Sequence, residues 1–250
     1  MSMKYDPSLY EADPRSFLKE EVDFYKKIID RFNPKTILEL GVGTGRIFSK
    51  LLPIVDYGAG LDISEQMLTV CRKTCEPNTS YELHKQTFVE FGLNSFFDLI
   101  YIPFNTFQHL LLEEEQLTCL KSVKNHMNSN SRFILDLMNL DNLVFDLDNW
   151  KQDYSNVLPD GKIIERDQKT IKIDRKTSIV EKVFLYKEIV NNKIEKTQEF
   201  NALMKINSNE KVRELLSKVG FSIEDVWTDY FFGHDHGTKK MIYCLKKDEI

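Results

Sequence analysis

The 250-residue sequence predicts an α/β protein, a doubly wound and mostly parallel seven-stranded sheet carrying a small inserted antiparallel β-sheet. Three observations predict it. Short apolar runs alternate with helical periodicities up to Met138, a pattern that builds a parallel sheet wrapped by helices. A glycine-rich turn joins the first such run to the helical pattern after it. From Lys162 the texture changes to consecutive runs of two-residue periodicity, the mark of antiparallel strands.

In residues 20–32, Val22, Tyr25, Ile28, Ile29 and Phe32 fall at helical spacing, and Asn33-Pro34 ends the run. Residues 36–40 are a short β-leaning run, followed by the glycine turn and a helix pattern in Ile47, Leu51 and Leu52. Residues 55–61 read as a second strand, Ser64 caps a helix running to about Cys75, and residues 81–83 form a weak third strand. A fourth strand follows at 96–104, a helix at 113–126 and a fifth strand at 132–138. Residues 162–174, 178–190 and 193–206 read as three antiparallel strands, with turns at Asp174-Arg175 and Asn191-Asn192. Helical spacing returns at Val212, Leu215, Leu216 and Val219, Gly220 ends it, and residues 221–226 and 241–245 complete the main sheet as a hairpin. The expected organisation is a core at 1–150, an insert at 151–206 serving as lid or dimer interface, and the rest of the core at 207–250.

Composition narrows the function. Apolar residues at 42% and charged residues at 29% suit a self-folding globular chain, and a net charge of -5 gives no basic field for a nucleic-acid backbone. No apolar run approaches the roughly 18 to 20 residues that span a bilayer, and residues 1–10 lack the pattern of a signal peptide, so a cytoplasmic protein without membrane partners is expected. Cys71, Cys75, Cys119 and Cys244 are too few and scattered for a disulfide framework. Cys71 and Cys75 read as reduced thiols beside a core, and His234-Asp235-His236 as a loop that can line an acceptor pocket rather than a metal site.

The chemistry concentrates in Glu39-Leu40-Gly41-Val42-Gly43-Thr44-Gly45, which leaves a strand and enters a helix pattern. Glycines let the backbone turn tightly and let a ligand lie against the peptide. Asp62 follows 21 residues after Gly41, at the end of the second strand, where a carboxylate can accept both hydroxyls of a ribose. Together they predict a nucleoside site. The dinucleotide fingerprint spaces its glycines G-x-G-x-x-G, whereas the spacing here is G-x-G-x-G with an acid two residues before it. An acid there suits the amino group of S-adenosylmethionine better than a pyrophosphate.

At these residues the chain resembles the class I methyltransferases dependent on S-adenosylmethionine. The resemblance covers residues 37–47, 60–68 and the stretch from Phe97-Asp98-Leu99-Ile100 to Phe104-Asn105-Thr106-Phe107-Gln108-His109-Leu110. It is similar to a bacterial small-molecule subgroup that includes sugar N-methyltransferase-like members with a late antiparallel insert. The resemblance implies a methyltransferase Rossmann-like fold, S-adenosylmethionine as cofactor, S-adenosylhomocysteine as product, and a small-molecule acceptor methylated on nitrogen or oxygen.

For the cofactor, the resemblance carries roles to Glu39, Gly41, Gly43 and Asp62, with Gly45 and Ile63 in the same two motifs. Where the family commonly has Gly-Asp after the third strand, this chain has Gln86-Thr87, so the Thr87 hydroxyl and the Phe88 amide are the candidates for adenine. Phe104 and Asn105 are expected to face cofactor and acceptor together, His109 is the candidate general base, and Tyr5 and Tyr10 can cover the cofactor. An NAD-dependent oxidoreductase and a non-catalytic cofactor-binding protein are the alternatives. A homodimer through the insert is compatible with the sequence.

Overall fold

The computed structural model describes residues 6–15, 17–78, 80–235 and 237–248; Tyr5 and His236, singled out above, lie outside them. The chain divides into two compact units, Glu20–Leu143 with Ile206–Ile250, and the residues up to Lys19 with Val144–Lys205.

The larger unit is built on seven strands: β1 (Thr36–Leu40), β2 (Tyr57–Asp62), β3 (Tyr81–Lys85), β4 (Phe97–Ile102), β5 (Met127–Met138), β10 (Phe221–Trp227) and β11 (Lys240–Lys247), with β6 to β9 in the other unit. Their order is β10-β11-β5-β4-β1-β2-β3. β1 pairs in parallel with β2 on one side and β4 on the other, while β11 runs antiparallel between β5 and β10. The sequence-based doubly wound sheet with its closing hairpin is therefore the observed fold. β1 and β4 are apolar runs buried on both faces, as central parallel strands require.

Helix α2 (Phe17–Phe32) buries Glu21, Phe24, Tyr25, Ile28 and Ile29, an i, i+3, i+4, i+7, i+8 stripe. Ser64 caps α4 (Glu65–Cys75) by accepting from the Met67 N–H at 3.3 Å, and α6 (Asn209–Val219) ends at Gly220, left-handed at φ +79°. Helix α5 spans Glu113–Asn125. The helix expected after the glycine turn is short: α3 covers only Phe48–Leu51 and tightens into a 3₁₀ turn at Leu52–Ile54, because Pro53 has no N–H to continue the ladder.

The smaller unit holds four antiparallel strands in sequential order, β6 (Lys151–Val157), β7 (Ile163–Asp174), β8 (Ile179–Val190) and β9 (Lys193–Lys205). The three strands expected from the sequence are β7 to β9; the fourth, β6, is an edge strand whose Lys-Gln-Asp-Tyr-Ser-Asn composition leaves Tyr154 as its one buried side chain. Tyr10, read as part of a segment before the opening helix, lies on a helix of its own. This is α1 (Pro7–Glu11), started by Pro7 and by Asp6, whose carboxylate accepts from the Ser8 N–H at 3.0 Å. Leu9 and Ala12 pack with Tyr154, Ile164 and Tyr186 of this sheet, which puts α1 in its unit rather than with the parallel sheet. No helix among the described residues is long and apolar enough to cross a membrane.

Candidate active site

Because β2 and β4 flank β1 on opposite sides, the chain reverses direction of travel across the sheet at β1, the switch point beyond whose carboxyl ends open α/β sheets hold their ligands. The glycine loop sits there. Gly41, Gly43 and Gly45 all have positive φ, at +76°, +55° and +83°. Their surroundings differ: a Cβ on Gly41 would meet Thr106 Cγ2 at 2.5 Å and one on Gly45 would meet Cys71 Sγ at 2.7 Å, whereas one on Gly43 meets nothing within 4 Å. Thr106 fills the space beside Gly41, since the turn after β4 packs against the loop. Gly43 alone of the three faces open space.

The loop's amides are largely spoken for. The N–H groups of Gly41 and Val42 donate to the Leu61 carbonyl at 2.8 and 2.9 Å, that of Gly45 to the Val42 carbonyl at 3.0 Å, and that of Gly43 to Asp62 Oδ2 at 3.0 Å. The other Asp62 oxygen accepts from the Ser64 N–H at 2.8 Å. Burial pushes the Asp62 carboxyl up, while backbone donors at Ser64, Gly43 and Ile63 pull it back down. Against these donors the carboxylate's four lone-pair sites leave acceptor capacity open. Ile63, next in the chain, holds its side chain 49% exposed.

Glu39 is different: it is 2% exposed on the central strand, in no salt bridge among the described residues, and accepts from the hydroxyl of Tyr101, its register partner on β4, at 2.7 Å. Burial pushes its carboxyl up to about 8, against the pull of the Tyr101 hydrogen bond and the nearby Arg46.

β4 ends in an unusual turn. Phe104 and Asn105 are both left-handed, at φ +54° and +60°, a conformation costly for a bulky aromatic. Asn105 Oδ1 is buried and accepts no hydrogen bond from the described residues. Gln108 pins the turn by a two-way amide pair with the Met138 backbone, at 2.9 and 3.2 Å. His109 closes the same turn with its ring exposed. After β3, Thr87 is exposed and its hydroxyl accepts from the Val89 N–H at 3.2 Å, so its acceptor capacity is partly used within its own turn; Phe88 is half-buried against the core.

Glu39, the three glycines, Asp62, Ile63, Thr87, Phe88, Phe104 and Asn105 thus all lie at or just beyond the carboxyl ends of parallel strands in one unit. Tyr10 belongs to the other unit.

Several polar residues of this region escaped the sequence reading. Glu21 of α2 is fully buried, its Oε2 in a salt bridge with Arg46 and its Oε1 accepting from the Phe104 N–H at 3.1 Å. Asp136, fully buried in β5, takes Lys240 Nζ at 2.7 Å and the Tyr230 hydroxyl at 2.8 Å. The Tyr25 hydroxyl is buried without a hydrogen bond among the described residues; burial and the charges of Asp136, Glu21 and Glu39 hold it well above the usual phenol range. The available signal was phase: Glu21 falls on the apolar stripe of α2, and Asp136 interrupts the apolar run Phe133-Ile134-Leu135 of a buried strand.

Residues 37–130 match the family model described as a methyltransferase domain. The chain as a whole has the fold of S-adenosylmethionine-dependent methyltransferases. One solved structure of that fold is an S-adenosylmethionine-dependent methyltransferase from Clostridium acetobutylicum, 18% identical over 97% of this chain and 96% of the other, with a TM-score of 0.79. Another is the sugar N-methyltransferase KedS8 from a Streptoalloteichus species, 13% identical over 100% and 95%, at 0.80. A third is CalS10, an amino pentose methyltransferase from Micromonospora echinaspora solved with S-adenosylmethionine, 14% identical over 98% of both chains, at 0.74. No curated protein sequence shows significant similarity to the chain.

The raised carboxyl of Glu39 has a consequence for stability. In the folded chain it holds its proton up to about pH 8, whereas in the unfolded chain it ionises in the ordinary carboxylate range. Its stabilising contribution is complete below that range and is lost as pH rises through about 8. Glu39→Gln keeps an oxygen for Tyr101 and has no proton to lose. Urea unfolding of both proteins from about pH 5 to pH 8 is expected to show the parent losing on the order of 2 kcal/mol relative to the variant. Parallel pH profiles would remove the buried-carboxyl account.

Proposed function

We propose that the chain transfers a methyl group from S-adenosylmethionine to a nitrogen or oxygen of a small molecule, with an amino sugar the first acceptor to try. The observation that carries this reading is Glu39, a buried carboxyl in no salt bridge among the described residues, beside a glycine loop whose amides are largely bonded. A pyrophosphate needs free amide donors, which this loop offers sparingly, and that weighs against a dinucleotide. An ammonium needs a carboxylate, and Glu39 is one that a cation would return to its charged form.

When bound, S-adenosylmethionine supplies a methyl group already activated on a sulfonium. The residues' task is therefore to hold, orient and exclude water. Glu39 would take the amino group and Asp62 the ribose hydroxyls, through the acceptor capacity its backbone donors leave open. Gly43 would admit the ligand to the backbone, with Gly41 and Gly45 shaping the loop around it. Ile63 offers an exposed apolar face for adenine, with Thr87 and the Phe88 amide at its edge.

Phe104 and Asn105 would mark the boundary between cofactor and acceptor. Asn105 Oδ1, an acceptor without a donor among the described residues, suits the N–H or O–H of the nucleophile. The activities in the names of KedS8 and CalS10, together with their fold, favour an amine on a sugar. Tyr10 remains a proposed aromatic cover and His109 a proposed base.

Calorimetry with S-adenosylhomocysteine tests the cofactor half. The wild-type chain is expected to bind, and Asp62→Ala to weaken binding by roughly 1 to 3 kcal/mol, with Asp62→Asn milder because one acceptor oxygen survives. Unchanged affinity in Asp62→Ala would take Asp62 out of the site; tighter binding of NAD than of S-adenosylhomocysteine would favour the oxidoreductase instead.

Product formation with a panel of amino sugars and hydroxylated small molecules tests the rest. If His109 removes the acceptor proton, His109→Gln lowers kcat by about a hundredfold at unchanged cofactor affinity; full activity assigns the base elsewhere, and no product from any acceptor favours a binding protein.

The strands β6 to β9 carry none of the cofactor candidates. As a wall for the acceptor, that sheet tolerates substitutions with cofactor affinity intact while turnover falls. Loss of dimerisation in place of turnover makes it an interface.

A further inference from the structure

We infer that Glu21 is a positioning residue, locking the glycine loop and the turn after β4 into one relative geometry through Arg46 and Phe104. This rests on the methyl-transfer reading of the site. The two oxygens of one carboxylate serve both segments. Oε2 takes the guanidinium of Arg46, the residue after Gly45, and Oε1 accepts the Phe104 N–H at 3.1 Å. The linkage closes on itself, because the Arg46 guanidinium lies over the Phe104 ring, 5.4 Å from its centroid. Phe104 and the following Asn105 are the two residues held left-handed at the end of β4, a state that persists only where the surroundings impose it.

Burial speaks against a purely stabilising role. Glu21 is 0% exposed, at a position of α2 in phase with Phe24, Tyr25, Ile28 and Ile29, where a leucine would bury its side chain at no desolvation cost. A buried ion pair is commonly no more stabilising than an apolar replacement, and what it secures is a specific arrangement of its neighbours. Here those neighbours are the loop proposed to meet the nucleoside and the turn proposed to meet the acceptor. A shift of either by a fraction of a bond length spoils the alignment that methyl transfer requires.

The test is a double-mutant cycle read by S-adenosylhomocysteine calorimetry and by thermal unfolding. It uses Glu21→Gln, Glu21→Leu, Arg46→Met and the double variant Glu21→Gln/Arg46→Met of the full chain. Glutamine keeps an acceptor for the Phe104 N–H and loses the charge; leucine fills the space and keeps neither. Glu21→Leu and Arg46→Met are expected to weaken binding about tenfold to a hundredfold, with Glu21→Gln intermediate. The double variant should bind no worse than Arg46→Met alone, because both changes cut the same linkage. Glu21→Leu leaves the Arg46 guanidinium without its carboxylate and is expected to unfold at a lower temperature than the parent, whereas the double variant Glu21→Gln/Arg46→Met, which removes both charges, should unfold near the parent temperature while still binding weakly.

Affinities within about twofold of wild type in every variant, or losses that simply add, overturn the clamp while leaving the methyl-transfer reading intact. Affinity lost only in step with unfolding temperature overturns it too, as the mark of a merely structural residue. A wild-type chain that does not bind S-adenosylhomocysteine overturns the underlying reading, and the clamp with it.

Discussion

The parallel pairing of β1 with β2 on one edge and β4 on the other is the constraint from which the site follows. Parallel neighbours bring their carboxyl ends to the same side of the sheet, so the loops after β1, β2 and β4 must meet there whatever their sequences. The Leu61 carbonyl at the end of β2 accepts two amides from the loop after β1, and Asp62 accepts a third. Thr106, just past β4, fills the space beside Gly41. The glycine loop owes its shape as much to these three strand ends as to its own residues.

Charge is distributed in the same region in an uneven way. Glu21, Glu39 and Asp136 are all buried, and two of them have their own cations, Arg46 and Lys240. Glu39 has a tyrosine hydroxyl instead, and burial keeps its carboxyl protonated well into neutral pH. A site so arranged is poised to take up positive charge, since a cation arriving at Glu39 is compensated by the proton that leaves. The turn after β4 presents the complementary feature, an amide oxygen buried without a donor among the described residues. Both are what a protein retains when a polar ligand is to complete its hydrogen bonding.

Much of the fold was legible in the sequence because the main-sheet strands other than β3 announce themselves locally. Thr36–Leu40 and Phe97–Ile102 are apolar enough to be strands in any context, and Ser64 and Gly220 bound their helices by chemistry internal to the segment. Elements that depend on a partner were not legible. β6 is polar along most of its length and exists because β7 offers an open edge, and α1 is five residues long and rests on Tyr154, Ile164 and Tyr186, far away in sequence.

For the site, the sequence by itself determined the inventory: three glycines on the exit of one strand, an acid two residues before them and another 21 residues after the first of them. Spacing alone carries that, because a strand-loop-helix unit has few lengths at which it can be built. Only the tertiary structure decided which glycine faces open space, that Glu39 accepts from a hydroxyl and is in no salt bridge among the described residues, and that Glu21 reaches both Arg46 and Phe104. Those facts join residues up to 83 positions apart. They are set by how α2 and the turn after β4 pack on the sheet, and side-chain packing between distant segments leaves no period or motif in the sequence to be read.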